Sequence, residues 1–121
     1  MDEFIFEKLD VWCKARELVL KIYTFLEKFP ATEKFALCDQ IRRASISIVS
    51  NIAEGSGRAS VKEKIHFIEI AYGSLMETFC QITLAVDLNY LCADILTEVK
   101  PSFIEIAKML SGWRTNLKSK L

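Results

Sequence analysis

The sequence predicts an all-α protein, an antiparallel up-down-up-down four-helix bundle, and three observations support this prediction. The chain of 121 residues is 51% hydrophobic and 26% charged, yet it contains only 4 Gly and 2 Pro. This content of turn-forming residues is too low for a many-stranded sandwich or a disordered chain. Apolar residues recur every three or four positions through four long segments. The connections between these segments are short, which places neighbouring helices antiparallel.

The first helix is predicted from Val11 to Phe29. Its apolar residues alternate steps of four and three, and charged residues repeat on the opposite face. Pro30 follows the last turn. Thr32 and Glu33 then supply an N-cap and a first-turn acid for the second helix, because both groups interact favourably with the free N–H groups at a helix start.

The second helix, about residues 32–56, is apolar over most of its circumference and is predicted to be heavily buried. Residues 45–50 alternate like a strand, but the three-four spacing continues on both sides, so a helix is predicted here too. Gly55 and Gly57 stand at its end, where a glycine can take the left-handed C-cap conformation. One polar line follows the helix: Gln40, Arg43, Ser47, Asn51, Glu54 and Arg58. We interpret Gln40, Ser47, Asn51, Glu54 and Arg58 as architectural, since polar residues in a bundle can fix register and partner orientation.

The third helix is predicted from Ser60 to Asn89 or Tyr90. Residues 60–63 have the form of a capping box, in which a serine and a glutamate each bond a free backbone N–H at the helix start. The clearest heptad seam in the chain follows. It consists of Ile65, Ile68, Tyr72, Leu75, Phe79, Ile82 and Val86. Such a helix measures roughly 40 Å at about 1.5 Å per residue.

The fourth helix is predicted to begin at an Asp94 cap and to carry a seam from Leu96 to Leu117. Pro101 interrupts it, because a proline inside a helix removes one backbone hydrogen bond and costs about 3 kcal/mol. Two outcomes are open: a kink between Thr97 and Pro101, or a short first segment with a restart at Pro101. The whole chain, residues 1–121, is predicted to be one domain.

The sequence lacks several motifs that are typical of enzyme active sites. It contains no Gly-rich phosphate loop, no HExxH and no nucleophile elbow. The single histidine, His66, stands beside Glu63 and Glu69 and cannot supply the ligand set of a di-iron bundle. Glu54 and Glu77 are the carboxylates that could serve as a general base, but such groups more often pair with arginine. We therefore predict no enzymatic activity, no metal site and no cofactor.

The four cysteines are predicted to act as small hydrophobes, because Cys13, Cys38, Cys80 and Cys92 form no CxxC pair and lie in or beside apolar helical stretches. Reduced thiols fit a cytoplasmic location. The acidic N-terminus differs from a secretory signal, whose first region is basic. Apolar runs are far shorter than the roughly 20 residues that a bilayer crossing needs, so no membrane segment is expected.

Charge and hydrophobicity indicate the kind of partner. The chain has 16 Lys and Arg against 16 Asp and Glu, a net charge of zero. That balance argues against strong nonspecific binding of nucleic acid by the monomer. A hydrophobic content of 51% exceeds what the interior of a small bundle needs. Some apolar surface is therefore expected to meet a second copy of the chain in a homo-oligomer.

Four stretches together carry a family resemblance: Leu-Asp-Val-Trp at residues 9–12 with Ala15, Phe29-Pro30 with Glu33 and Phe35, residues 40–58, and residues 67–77. The most specific part is Ser-Asn-Ile-Ala-Glu-Gly at residues 50–55. On these residues the chain resembles the bacterial four-helix-bundle proteins encoded in 23S rRNA intervening sequences, over about residues 4–90. It is also similar to the accessory variability proteins of diversity-generating retroelements, which are pentamers that bind nucleic acid and a reverse transcriptase.

The resemblance implies a homopentamer with an RNA-linked role, and it leaves two functions open. In the first, the protein binds structured RNA through basic residues repeated around a ring. The candidates in the matching region are Arg42, Arg43, Arg58, Lys62 and Lys64. In the second, it is a protein-protein scaffold that docks a partner enzyme such as a reverse transcriptase and does not bind nucleic acid itself. The retroelement proteins are markedly basic and this chain is neutral, which favours the second.

Overall fold

The computed structural model describes residues 2–121 and confirms the all-α prediction. Its four helices are α1 (Asp10–Leu26), α2 (Leu37–Ser56), α3 (Val61–Asp87) and α4 (Asp94–Lys118). Short 3₁₀ turns, Ile5–Lys8 and Ala31–Glu33, precede α1 and α2. The strand-like residues 45–50 lie inside α2, because their burial on one helical face outweighs a weak local preference for a strand.

Contacts between helices show that neighbours are antiparallel, since partner numbers fall along one helix as they rise along the other. Those contacts are Lys14–Glu105 (3.0 Å) and Lys21–Glu98 (3.1 Å) between α1 and α4, Ser47–Ser74 (2.8 Å) and Gln40–Gln81 (3.4 Å) between α2 and α3. Each helix packs on the next, and α4 packs back on α1. The result is the predicted up-down-up-down bundle.

The core lies along the common axis of the bundle and is almost wholly aliphatic. The largest fully buried side chains are Ile22, Ile41, Ile48, Ile52, Ile68, Leu75, Ile82, Val99, Ile106 and Leu110. Burial of each such side chain stabilises the fold by about 1.5–3 kcal/mol relative to exposure. None of the helices within residues 2–121 combines the length and apolar character that a membrane crossing requires.

The connection between α1 and α2 differs from the prediction. Helix α1 ends at Leu26 rather than Phe29, and α2 begins at Leu37 rather than Thr32. The backbone of Ala36, with φ −118° and ψ −109°, is outside the helical region and separates the 3₁₀ turn from α2. Thr32 therefore lies inside that 3₁₀ turn and does not cap α2.

Glu33 supports the start of α2 in place of a conventional cap. Its Oε2 accepts a hydrogen bond from the backbone N–H of Leu37 at 3.2 Å. Its Oε1 accepts one from the hydroxyl of Tyr90 at 3.0 Å, across the end of the bundle. This hydrogen bond raises the pKa of Tyr90 above the ordinary value of 10.0. Glu33 thus joins the α1–α2 connection to the α3–α4 connection.

The ends of α2 and α3 use two different devices. Gly57 has φ −91°, so the predicted left-handed glycine cap of α2 is wrong. Helix α3 ends at Asp87, before the predicted Asn89, because Asn89 takes the left-handed conformation at φ 64°. The N–H of Asn89 then bonds the carbonyl of Val86, and the N–H of Tyr90 bonds that of Ala85, both at 2.9 Å. These are the paired hydrogen bonds of a Schellman motif.

The start of α3 matches the prediction in part. The Oγ of Ser60 accepts a hydrogen bond from the backbone N–H of Glu63 at 3.0 Å, which is the N-cap half of a capping box. The carboxylate of Glu63 lies 3.6 Å from the guanidinium of Arg58. Glu63 therefore links the start of α3 to the chain that leaves α2.

Helix α4 is continuous through Pro101, so the predicted restart is wrong, whereas the kink stays a prediction. Pro101 and Thr97 are both exposed, and water can therefore bond the Thr97 carbonyl that Pro101 leaves without a donor. The predicted cap is also wrong: Ala93 is the N-cap, and Asp94 is the first helical residue. As an acid in the first turn, Asp94 still faces the positive end of the helix dipole.

The prediction for the cysteines holds at one position. Cys38 is buried between α1 and α2, and its Sγ lies 3.8 Å from the carbonyl of Leu26. Cys13, Cys80 and Cys92 are exposed free thiols. Cys80 directly follows a residue of the α3 seam, and one position on a helix turns a side chain by about 100°. An apolar sequence neighbourhood was therefore not sufficient to place these thiols.

Helices α2 and α3 are in close contact at Gly55, which is buried. A Cβ added at Gly55 would lie 3.0 Å from the Cβ of Phe67 and 3.5 Å from the carbonyl oxygen of Lys64. Neither atom belongs to the flexible end of a side chain, so the helices would have to separate. The absence of a side chain at Gly55 thus sets the spacing between α2 and α3.

Gly55→Ala is expected to lower the free energy of unfolding by about 1–3 kcal/mol, because the added methyl group overpacks this contact. Gly73→Ala on α3 is the matched control, since a Cβ added there meets nothing within 4 Å. The control is expected to gain about 0.5–1 kcal/mol from helix propensity. Urea denaturation followed by circular dichroism measures both changes. Equal effects of the two substitutions would show that Gly55 does not limit the packing.

Candidate functional site

A polar layer crosses the contact between α2 and α3 near its middle. The Oγ atoms of Ser47 and Ser74 lie 2.8 Å apart. Asn51 Nδ2 lies 2.8 Å from the carbonyl oxygen of Ser47 and 2.9 Å from its Oγ. A carbonyl only accepts hydrogen bonds, so the amide nitrogen must face it and donates to both oxygens. Ser47 Oγ therefore accepts from Asn51 and shares a second hydrogen bond with Ser74 Oγ, in which either hydroxyl can be the donor.

A second polar layer lies two helical turns away. Gln81, which is 8% exposed, donates from Nε2 to Gln40 Oε1 at 3.4 Å and to Glu77 Oε2 at 3.1 Å. Its Oε1 is buried and has no hydrogen-bond partner among residues 2–121. A buried acceptor left in this state costs about 1–3 kcal/mol. The layer is therefore retained at a cost in stability, and it pairs one position of α2 with one of α3.

Six residues that the sequence marked as structural, four from the polar line and the two glycines at the end of α2, divide by location. Gln40, Ser47 and Asn51 form the polar layers, and Gly55 provides the close approach of the helices. The two others lie at the exposed end of α2: Glu54 and Gly57. Beside the layers runs a cleft of about 490 Å³ between α2 and α3, whose lining includes Gln40 and Ser47.

Two of the five predicted RNA-binding residues already have partners within the chain. The Arg58 guanidinium stacks 4.7 Å from the ring centre of Phe67 and lies 3.6 Å from the carboxylates of Glu54 and Glu63. Lys64 Nζ donates a hydrogen bond to the carbonyl of Ser56, in the last turn of α2, at 3.0 Å. Both side chains hold the α2–α3 turn together.

The other three predicted basic residues lie apart. Lys62 is exposed on the first turn of α3, near Arg58 in sequence. Arg43 is exposed and Arg42 half-buried, near the opposite end of α2. Arg43 and Arg58 are 15 residues apart, or about 22 Å at ~1.5 Å per residue. The five predicted residues therefore do not form one continuous surface.

Arg42 and Arg43 instead lie with two residues that the sequence prediction did not include. The ring of Phe35 is 86% exposed, and Lys34 Nζ lies 5.5 Å from its centre. Arg43 lines the α2–α3 cleft with Phe35, and Arg42 lines a second hollow with Lys34. We call Lys34, Phe35, Arg42 and Arg43 the Phe35 cluster. Its sequence signal is an aromatic residue that falls outside the apolar stripe of α2.

The residues considered for catalysis lie on the surface. His66 is exposed, with its ring 5.5 Å from that of Phe67. Glu54 pairs with an arginine, as predicted, whereas the partner of Glu77 is the amide of Gln81 rather than an arginine. In the part of the chain that the structure describes, no three His, Cys, Asp or Glu side chains are grouped to hold a metal ion.

The fold and the α2–α3 contact define a small antiparallel four-helix-bundle protein with a register set by polar layers. A family model, the 23S rRNA-intervening sequence protein, matches residues 7–112. The chain belongs to this family, which confirms the resemblance and extends it into α4. A comparison with curated proteins gives no match.

A double-mutant cycle on Ser47→Ala and Ser74→Ala is expected to give a coupling energy of about 0.5–1.5 kcal/mol, because the two hydroxyls bond each other. Ser50→Ala replaces Ser47→Ala in the control cycle, since Ser50 is on the exposed face of α2. The control pair is expected to be additive. Chemical denaturation of the four variants in each cycle measures the coupling. Additivity in both cycles would contradict the hydrogen bond between Ser47 and Ser74.

Proposed function

We propose that this chain is a non-catalytic, homo-oligomeric protein that binds structured RNA, and that the Phe35 cluster is its RNA contact. The observation that supports this is the phenyl ring of Phe35, which is 86% exposed and has Lys34 Nζ 5.5 Å from its centre. Proteins hold unpaired bases by stacking them on aromatic rings, and they attract phosphates with Lys and Arg. The Phe35 cluster combines both groups.

Cations without ion-pair partners near Phe35 support the proposal although the chain as a whole is neutral. The ion pairs among residues 2–121 involve none of Lys34, Arg42 and Arg43. Asp39 lies between them on the same end of α2, and Glu33 is held by the Leu37 N–H and the Tyr90 hydroxyl. Asp39 and Glu77 line the cleft beside Arg43, so the support comes from three cations that have no ion pair of their own in the described part of the chain, and a homo-oligomer would repeat them.

The geometry favours RNA with unpaired bases over a continuous duplex. A ring can stack only on a base that has left its own helix, and such bases occur in loops and bulges of structured RNA. Stacking is tolerant of sequence, because every base has an aromatic face. The proposal therefore predicts a preference for loops, with the phosphates of the loop held by Arg42 and Arg43.

Phe35→Ala is expected to weaken binding of a labelled RNA hairpin with an unpaired loop by about 10- to 100-fold, because it removes one stacking platform. Binding of a fully paired RNA duplex of equal length is expected to change little. Arg43→Glu is expected to weaken binding of the hairpin and to reduce the salt dependence, since one phosphate contact is lost. Fluorescence anisotropy across a salt series measures all three.

Lys62→Glu is the matched control for Arg43→Glu, because it reverses one exposed positive charge at the other end of α2. It is expected to leave hairpin affinity unchanged. If Lys62→Glu weakens binding as much as Arg43→Glu, the contact is not confined to the Phe35 cluster. If the wild-type protein does not bind the hairpin at low salt, the RNA-binding proposal is wrong.

The protein-protein scaffold is the second candidate function, and the exact balance of 16 basic and 16 acidic residues favours it. In this case a partner enzyme, such as a reverse transcriptase, would contact the nucleic acid. Nuclease treatment of the purified complex separates the two functions. A stoichiometric partner protein that stays bound after digestion supports the scaffold, whereas a partner that is released by nuclease was held through RNA.

A further inference from the structure

An apolar groove lies on the outer surface between α3 and α4, away from the Phe35 cluster. It has a volume of about 280 Å³, and its apolar lining comes from both helices: Tyr72, Met76, Phe79, Phe103, Ile104 and Ala107. Met76 is 42% exposed and Ile104 is 45% exposed. Two large aliphatic side chains side by side in solvent are unfavourable unless another surface covers them.

The rim of this α3–α4 groove is positively charged. Lys100 and Lys108 are its two charged lining residues, and no carboxylate lines it. They are eight residues apart on one helix, or about 12 Å at ~1.5 Å per residue. Neither lysine takes part in an ion pair within residues 2–121. The α3–α4 groove therefore fits a short apolar segment that carries acidic residues beside it.

The N-terminal turn of the chain, residues 2–7, is such a segment. Phe4 is 75% exposed and Ile5 is 63% exposed, and three acids flank them: Asp2, Glu3 and Glu7. The turn has a defined shape, because Glu7 Oε2 accepts a hydrogen bond from the backbone N–H of Phe4 at 2.8 Å. Phe6 anchors it to α1 through an edge contact with Trp12, with 4.8 Å between ring centres.

The N-terminal turn cannot enter the groove of its own chain. The 3₁₀ turn Ile5–Lys8 packs on α1 and α2, whereas the groove lies on the outer face between α3 and α4. In the up-down-up-down bundle these two surfaces are on opposite sides of the core. The turn exposes apolar side chains flanked by acids, and the groove is apolar with lysines at its rim. The occupant that the chain itself offers is therefore the turn of a second copy.

We propose that the N-terminal turn of one subunit docks in the α3–α4 groove of the next. Phe4 and Ile5 cover Met76 and Ile104, and the acids of the turn face Lys100 and Lys108. The two surfaces differ, so the contact is heterologous and repeats head to tail until the ring closes. This inference rests on the homo-oligomer of the proposed function and identifies the surfaces that form it.

The first test uses two variants, each of which destroys one surface. Phe4→Asp with Ile5→Asp removes the apolar side chains of the turn and leaves the groove intact. Met76→Asp with Ile104→Asp removes apolar side chains of the groove and leaves the turn intact. Each is expected to be a monomer by light scattering. An equimolar mixture is expected to form a heterodimer, because one intact turn meets one intact groove. Leu20→Asp, at a residue of α1 that is 60% exposed and outside both surfaces, is the control and is expected to assemble like the wild type.

The second test uses charge. Lys100→Glu with Lys108→Glu is expected to weaken assembly by at least about tenfold, because the groove then repels the acidic turn. Adding Asp2→Lys and Glu3→Lys to the same chain is expected to restore assembly, which a merely destabilised groove would not do. Circular dichroism confirms that each variant is helical before its mass is measured.

The outcomes separate this inference from the proposed function. If the wild-type protein is a monomer, the proposal of a homo-oligomer is wrong, and the proposed docking contact is wrong as well. If the wild type is an oligomer and both surface variants keep its mass, assembly uses other surfaces and only the docking contact is wrong. If the variants are monomers but their mixture does not form a heterodimer, the two surfaces do not meet each other.

Discussion

The contact between α2 and α3 determines the geometry on which the other features of this protein depend. At one end Gly55 lets the two helices approach until Phe67 lies against the backbone of α2. In the middle Ser47 and Ser74 share a hydrogen bond, and farther along Gln40 faces Gln81. These positions follow one another two turns apart on both helices. A shift of register would separate every pair at once, so the contact admits one alignment.

Polar layers in this contact exchange stability for a defined alignment. An aliphatic pair in place of Ser47 and Ser74 would bury more apolar area, but it would pack almost equally well after a shift along the helix. Directional hydrogen bonds do not allow such a shift. The unpartnered Gln81 Oε1 shows that the exchange has a cost. The alignment in turn positions the cleft between α2 and α3, which Phe35 and Arg43 line at one end.

The surface separates charges that cancel in the whole chain. The acids of the N-terminal turn lie on the α1–α2 side, and Lys100 and Lys108 flank an apolar groove on the α3–α4 side. The cations of the Phe35 cluster lie at a third place, the start of α2. A net charge of zero therefore describes the sum of opposed local charges, which is compatible with the contacts proposed with further copies of the chain and with RNA.

The sequence by itself determined the four helices, their antiparallel order and most of the core, because a three-four apolar repeat depends only on local geometry and burial. It did not determine where α2 starts, since Glu33 supports that start while bonding Tyr90, 57 residues away. Nor did it show which Lys and Arg side chains have no ion-pair partner within the chain. Arg58 is held by Phe67 and two carboxylates, whereas Arg43 lies beside the exposed Phe35. Side-chain partners across helices decide such questions, and they exist only once the chain has folded.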